Sequence, residues 1–376
     1  MKNIEILTTD AKVAELAGQL AAETSVAVDL EADSLHNYRE KICLMQLSTR
    51  QRTVLIDTLA ATDLQPLQVV FANPAIRKIF HAADYDLRSL KRDFDLNVRG
   101  LFDTMISAQL LGEERIGLAD LLNKHFGVEL DKKYQKADWS QRPLPAEMIR
   151  YAAEDTRYLH QLMDLFVERL ETLGRMSWVA EECALLEEVR FADTGGPLCL
   201  RFKGAGTLSR RELGVLECLL QWREGEGARL DRPVYKVLGN KVLLELVRRM
   251  PQETNDLVGI EGLPPRLIER FGKALLIAVA RGRSLSEGEL PLFPRLPRKE
   301  RDPAREDRFK LLKKWREQEA LTYALDPGVL INNFALDALA LANPQSRAEL
   351  DKVSGLKRWQ KAELGAGLLG ALASRH

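Results

Sequence analysis

The chain has 376 residues, enough for two or three domains, and its 45% apolar and 29% charged residues are typical of a globular protein that folds in water. No apolar run is long enough to cross a membrane, and the amino-terminal residues lack the apolar core of a signal peptide. The four cysteines include no CxxC pair, so neither a zinc site nor a disulfide framework is indicated, and a reduced, cytoplasmic setting is expected.

The net charge of zero conceals an asymmetry between the two halves of the chain. Residues 1–190 carry 23 Lys and Arg against 31 Asp and Glu, whereas residues 191–376 carry 32 against 24. An acidic half suits the binding of cations, and a basic half suits the binding of a polyanion. The alternative is that this difference in charge has no function.

The first half of the chain contains both strand and helix patterns. Hydrophobic periodicity predicts strands near residues 4–8, 25–31, 42–48, 53–57 and 76–82. It predicts helices near residues 10–23, 64–74, 84–94, 103–111, 117–126, 145–172 and 177–191, the first with Asp10 as its N-cap. Successive strands followed by strands that alternate with helices predict an α/β domain, a mixed sheet flanked by helices, over residues 1–191.

Two breaks and an internal repeat organise the second half. The Gly-rich residues 192–208 and the Pro-rich, charged residues 284–304 are predicted linkers. The helical stretches after them, residues 209–283 and 305–376, repeat one pattern with a constant offset of 93 positions. The matching pairs are Trp222 and Trp315, Pro251 and Pro344, and Gly262 and Gly355. Two related all-α bundles are therefore expected, the second a divergent copy of the first.

Two carboxylates interrupt the apolar strand "VAVDLEA". Side chains alternate along a strand, so Asp29 and Glu31 project from the same face. Burying two like charges together costs several kcal/mol unless they are compensated. The compensation is a bound cation, a basic partner or an exposed end of the strand.

Three more polar residues stand where packing alone would not require them. Asp86 follows a buried strand in "FHAADYDL", and Tyr151 and Asp155 share one face of a helix in "YAAED". Taken singly, Asp86 is also explained as a helix N-terminal charge, Asp155 as a solvated residue and Tyr151 as core. Four converging carboxylates would suit two hard divalent cations, a standard arrangement for phosphodiester hydrolysis. A tyrosine beside them stays protonated at neutral pH and is able to position water.

The order of these motifs resembles that of the DEDD 3′–5′ exonucleases. The tyrosine indicates the DEDDy branch, and "GLFDT", "ADWSQRPLP" and "YAAEDTRYL" are similar to the ribonuclease D family. The carboxy-terminal repeat resembles two HRDC domains. The resemblance spans almost the entire chain and implies a ribonuclease H-like exonuclease domain followed by two HRDC bundles.

That resemblance also implies roles for single residues. Asp29, Glu31, Asp86 and Asp155 would hold two divalent cations, Mg²⁺ or Mn²⁺, and Tyr151 would orient the attacking water. His36 and Tyr38 are candidates for contacts with the terminal nucleotide. Arg142 is expected to brace the loop before the catalytic helix or to bind a phosphate.

The expected substrate is RNA with a single-stranded 3′ end, with tRNA precursors the best-known case in the family. The product would be nucleoside 5′-monophosphates. The basic half would hold the body of the RNA, and neither a membrane nor an obligate protein partner is expected. Two alternatives stay open, a 3′–5′ exonuclease directed at DNA and a non-catalytic RNA-binding protein on the same fold.

Overall fold

The computed structural model describes residues 4–131, 133–192, 195–293 and 302–374. The described residues form two compact units, and each unit is discontinuous in sequence. The first unit contains the described residues within 1–32, 42–191 and 300–376, and the second contains those within 33–41 and 192–299. The second helical module therefore belongs to the same unit as the α/β domain.

The first unit is built on a six-stranded mixed sheet. Its strands are β1 (Glu5–Leu7), β2 (Ser25–Ala32), β3 (Ile42–Ser48), β4 (Thr53–Asp57), β5 (Arg77–Phe80) and β6 (Leu101–Asp103). Their order across the sheet is β1-β4-β3-β2-β5-β6. Only β3 runs antiparallel to its described neighbours, β2 and β4. The predicted mixed sheet flanked by helices is confirmed, with β6 as a short strand that the sequence pattern did not indicate.

The helices of the α/β part follow the predicted order. They are α1 (Asp10–Leu20), α2 (Gln68–Phe71), α3 (Asp84–Phe94), α4 (Thr104–Leu111), α5 (Leu118–Phe126), α6 (Ala146–Arg157), α7 (Leu159–Thr172) and α8 (Met176–Leu186). The predicted helical region 145–172 is divided at Tyr158 into α6 and α7. The N-cap prediction for Asp10 is wrong, because Thr9 is the N-cap and the Asp10 carboxylate instead accepts from the backbone of Thr62 and Asp63.

The two helical modules repeat each other element by element. The first module contains α9 (Arg210–Leu230), α10 (Val234–Val237), α11 (Asn240–Arg249) and α12 (Pro265–Ser284). The second contains α13 (Pro303–Tyr323), α14 (Pro327–Leu330), α15 (Asn333–Ala342), α16 (Arg347–Asp351) and α17 (Arg358–Ala373). Corresponding long helices begin 93 positions apart, as Asn240 and Asn333 do.

The repeat extends to buried polar contacts. Arg223 donates from Nη1 to the carbonyl of Leu238 and to Oδ1 of Asn240, at 3.0 and 2.7 Å. In the second module Arg316 makes the same two contacts at 2.8 and 2.9 Å, with Ile331 and Asn333. Gly262 and Gly355 both have positive φ, +81° and +87°, which glycine adopts without steric cost.

The second module packs on α8 of the α/β part. The ring of Trp359 stacks on Trp178 with centroids 4.3 Å apart and an interplanar angle of 14°. Arg175 lies over the Trp178 ring and donates to the carbonyl of Tyr323 at 2.7 Å. Lys357 pairs with Glu182 at 2.5 Å, on a partly buried surface. Aromatic stacking and ion pairing thus join this module to the α/β part within the first unit.

In the second unit, a short segment from the α/β half of the sequence is attached by hydrogen bonds. The segment 33–41, which follows β2 in the chain, packs on the first module through hydrogen bonds. The Tyr38 hydroxyl donates to Glu224 at 2.9 Å, the Tyr38 amide to Asp231 at 3.1 Å, and the Tyr235 hydroxyl to the carbonyl of Leu35 at 3.2 Å.

The structure describes most of the first predicted linker and only part of the second. Residues Leu198–Arg201 and Ala205–Thr207 form short 3₁₀ helices, and Cys199 and Ala205 are buried in the core of the first module. Part of the Gly-rich stretch 192–208 is therefore packed structure. Much of the second predicted linker, residues 294–301, lies outside the described residues. Among the helices of the described residues, none has the length and apolar character needed to cross a membrane.

Candidate active site

Strand β2 and helix α6 bring three carboxylates to one place. Asp29 and Glu31 lie on one face of β2, the face that α6 covers. Asp155 lies one helical turn beyond Tyr151 on α6. Each of the three carboxylates offers an oxygen, and these oxygens lie within 4.8 Å of one another. Such a group of oxygen donors could hold a metal ion.

Asp86 lies beside this cluster, in the first turn of α3. It is outside the group of three, but its negative charge raises the pKa of Glu31, and the charge of Asp29 raises the pKa of Asp86. The structure therefore places all four predicted carboxylates close enough to interact.

The pKa values of the cluster reflect burial first and mutual repulsion second. Burial raises the pKa of Asp29 to about 7. Burial and the charges of its neighbours raise the pKa of Glu31 to about 10 and that of Asp155 to about 8. Among the described residues, no Lys or Arg forms an ion pair with any of these carboxylates. A cation in the cluster would supply the missing compensation, so the donor set fits hard divalent ions.

Tyr151 is held in place by aromatic neighbours. Its ring meets that of Tyr134 edge-on at 5.8 Å, and the buried Trp139 ring lies 6.0 Å away. Burial, followed by the charges of Asp155, Glu31 and Asp29, raises the pKa of the Tyr151 hydroxyl. The hydroxyl therefore stays protonated at neutral pH and is a hydrogen-bond donor beside the carboxylates.

A cavity of about 380 Å³ opens over the cluster. Its lining includes Asp29, Glu31, Tyr151 and Asp155, and also His81. A second cavity of about 500 Å³ shares Tyr151 and Asp155 with it. The carboxylates are therefore accessible from space large enough for small groups of a substrate.

The proposed contacts for substrate have other partners in the structure. The Tyr38 hydroxyl donates to Glu224, and His36 lies in the same segment 33–41 of the second unit. Arg142 donates to both carboxylate oxygens of Asp57, at 2.6 and 2.7 Å, and to three backbone carbonyls. These contacts agree with the bracing role expected of Arg142. The roles of His36, Tyr38 and Arg142 toward a substrate stay predictions.

Asp103 is a positioning residue that the sequence reasoning missed. Its buried carboxylate accepts from the backbone amides of Ala82 and Ala83, at 3.2 and 2.7 Å, and from two amides in the first turn of α4. Ala82 has φ +65°, a conformation that side chains other than glycine rarely adopt. Asp103 thus fixes the turn from β5 into α3, and so the start of the helix that carries Asp86.

Only one of the two roles of Asp103 could be predicted from the sequence. An Asp immediately before a helix predicts an N-cap, and Asp103 caps α4. Its second task, across the neighbouring turn, depends on β5 and β6 pairing side by side. His81 also contributes there, because its Nδ1 lies 2.9 Å from the hydroxyl of Thr104.

Comparison with known proteins groups the chain with 3′–5′ exonucleases. The profile of a 3′-5′ exonuclease family matches residues 4–171, and the HRDC domain profile matches residues 212–279 and 305–372. A ribonuclease D of Gluconacetobacter diazotrophicus is 35% identical over 76% of this chain and 74% of its own length. A ribonuclease D of Granulibacter bethesdensis is 31% identical over 97% of this chain and 91% of its own.

A solved structure agrees with this grouping. Escherichia coli RNase D, described as an exoribonuclease involved in structured RNA processing, has a TM-score of 0.74 to this chain. The two are 26% identical, and the match covers 99% of each. With the fold, the exonuclease match, both HRDC matches and these relatives in agreement, the chain belongs to the ribonuclease D family of 3′–5′ exoribonucleases.

Proposed function

We propose that this protein removes nucleotides one at a time from RNA 3′ ends by hydrolysis that depends on two divalent cations, releasing nucleoside 5′-monophosphates. The observation that carries the proposal is the convergence of Asp29, Glu31 and Asp155, with Asp86 beside them. Hydrolysis by paired cations needs such a set of oxygen ligands within one cavity. Mg²⁺ and Mn²⁺ both prefer oxygen donors, so either ion suits the set.

The carboxylates and the tyrosine have different roles in the proposed reaction. When bound, the cations supply Lewis-acid activation of the attacking water and offset the charge that develops on the leaving 3′ oxygen. Asp29, Glu31, Asp86 and Asp155 would hold them. Tyr151 contributes a protonated hydroxyl, fixed by its neighbours Tyr134 and Trp139, that directs the water toward phosphorus.

The substrate we propose is RNA with a single-stranded 3′ tail, tRNA precursors and other small structured RNAs among them. A tail offers an unpaired 3′ end, and the cavities beside the cluster give such an end access to the carboxylates. The excess of Lys and Arg after residue 190 suits the phosphates of the RNA body, since cationic contacts add affinity without reading sequence. A cytoplasmic location and action without an obligate protein partner complete the proposal.

The first test is cleavage of a 5′-labelled RNA with a single-stranded 3′ end, with Mg²⁺, with Mn²⁺ and with chelator. The expected result is a cation-dependent ladder that shortens from the 3′ end. Asp29→Asn is expected to slow shortening more than about 100-fold, and Tyr151→Phe about 10- to 100-fold. Asp84→Asn is the matched control, because Asp84 is on the same helix as Asp86 but is exposed and paired with Arg88.

Other outcomes select the alternatives. A matched DNA strand that shortens as fast as the RNA, or faster, would favour an exonuclease directed at DNA. Binding of RNA without any shortening would favour a non-catalytic RNA-binding protein.

A second test measures cation binding against pH. Protonated carboxyls do not ligate, and the pKa values of Asp29 and Asp155 are about 7 and about 8. Bound cation must therefore displace protons, so the apparent affinity should rise from pH 6 to pH 8.5. Calorimetry in two buffers of different ionisation enthalpy would detect the released protons. An affinity independent of pH, with no proton release, would contradict binding at these carboxylates.

A further inference from the structure

A glutamine in the middle of the sheet has an unusual environment. Gln46 is fully buried, with 0% of its surface exposed. Neither its Nε2 nor its Oε1 has a hydrogen-bond partner among the described residues. Buried side-chain amides are normally paired, and an unpaired donor and acceptor both lower stability relative to an apolar side chain of the same size.

The register of the sheet places this amide next to the carboxylate cluster. Gln46 lies on β3 directly opposite Asp29 on β2 and opposite Leu55 on β4. Side chains at directly opposite positions share one face, with Cβ atoms about 4.5–5.5 Å apart. That face is the one covered by α6, since Leu44 and Leu55 pack with Ala152 of α6 in one cluster.

Packing alone does not account for an amide here. The neighbouring positions that share its face, Leu44 and Leu55, are leucines with 0% exposure, and a leucine or methionine at position 46 would leave no polar atom unpaired. The carboxylate of Asp29 is opposite, and among the described residues no side chain donates a hydrogen bond to it. Asp29 therefore has acceptor capacity to spare on the face that it shares with Gln46.

We propose that Gln46 is a positioning residue for the cation site, whose Nε2 donates to the Asp29 carboxylate oxygen that points away from a bound cation. The inference rests on the proposed function, because it assigns Asp29 to a cation. Outer partners of this kind fix the orientation of metal-ligating carboxylates. Gln46 thus gains its partner when the cation binds, and the protein carries the unpaired amide in the cation-free state.

The test compares two buried glutamines of the same unit. Gln360 is 2% exposed, and unlike Gln46 it is paired at both ends: Nε2 donates to the carbonyl of Leu330 at 2.9 Å, and Oε1 accepts from the amide of Lys357 at 3.0 Å. Gln46→Met and Gln360→Met remove the same amide and conserve volume. The first readout is the urea midpoint in chelator, and the second is the affinity for Mn²⁺ by calorimetry.

Opposite signs are expected for the two variants. Gln46→Met should raise the urea midpoint of the cation-free protein and weaken Mn²⁺ binding about 10- to 100-fold. Gln360→Met should lower the midpoint and leave Mn²⁺ binding unchanged. Gln46→Leu is the second variant, and it should behave as Gln46→Met does.

Two results would overturn the assignment of Gln46. One is a lowered midpoint for both Gln46 variants, which would make the residue an ordinary structural one. The other is Mn²⁺ binding as tight as in the wild type. Failure of the proposed function itself is distinguishable, because the wild type would then neither bind Mn²⁺ at the cluster nor shorten RNA.

Discussion

The two HRDC modules share a fold and differ in how they are attached. Their helices begin 93 positions apart, and Arg223 and Arg316 make the same buried contacts. The second module is joined to α8 by stacked tryptophans and an ion pair. The first module receives the segment 33–41 through hydrogen bonds to Glu224 and Asp231.

The different attachments show that the repeat preserves the helical core of a module and not its outer contacts. Core positions that face the other helices keep their residues because these helices must bury the same face. Such pairs include Leu243 and Leu336, Leu246 and Leu339, and Leu275 and Leu368. Surface positions are free of that constraint, and each module uses them for a different neighbour. The turn after the first helix illustrates this, since Asp231 in one module corresponds to Ala324 in the other, with φ +45° and +52°.

The largest effect should come from breaking the attachment of the second module. Trp359→Ala removes a buried, stacked ring and should lower the free energy of unfolding of the first unit by about 3–5 kcal/mol. Arg266→Ala is the control, because Arg266 is the second residue of α12, as Trp359 is of α17, and is exposed. It should change stability by no more than about 0.5 kcal/mol. Urea unfolding followed by circular dichroism measures both, and equal losses would mean that the attachment contributes nothing.

An intermediate effect, equal in the two modules, should follow from changing the repeated arginines. Arg223→Met and Arg316→Met each remove two hydrogen bonds from a charged donor and should each cost about 1.5–3 kcal/mol. Hydrogen exchange should report the loss only in the module that carries the change. If one variant left stability and hydrogen exchange unchanged, the two cores would not be energetically equivalent.

The smallest effect should come from the hydrogen-bonded attachment of the first module. Tyr38→Phe removes one partly exposed hydrogen bond and should cost about 1 kcal/mol or less, confined to the segment 33–41. Faster hydrogen exchange of amides in that segment, with an unchanged urea midpoint, is the expected signature. A decrease in the free energy of unfolding as large as that expected for Trp359→Ala would mean that the two attachments do not differ in strength.

Relations between residues that are close in the sequence could be predicted from it. Alternation on β2 and the spacing of Tyr151 and Asp155 predicted which side chains share a face, and the structure brings these residues together. The repeat was predictable for the same reason, since a fixed offset preserves every helical position. Convergence of separate segments came from the family resemblance, because spacing alone does not specify which segments meet.

Partners that are distant in sequence account for the rest. Tyr38 and Glu224 are 186 positions apart, and Arg142 and Asp57 are 85 apart, so neither pair has a local signal. Asp10 was predicted as a cap, but its Oδ1 accepts from two backbone amides more than 50 positions away. Gln46 reads as an ordinary strand residue until the register places it opposite Asp29.

The stacked tryptophans also constrain how the protein is made. Helix α8 is synthesised long before its partner, because Lys357 follows Glu182 by 175 positions. During translation the face of α8 that carries Trp178 has no α17 to cover it, although the sheet and its helices have already emerged from the ribosome. A nascent chain at that stage displays an uncovered aromatic surface, which is the kind of surface that chaperones bind and that promotes aggregation. The α8 surface is therefore covered only after α17 is made, and a ribosome that stalls within the second module would leave that surface exposed.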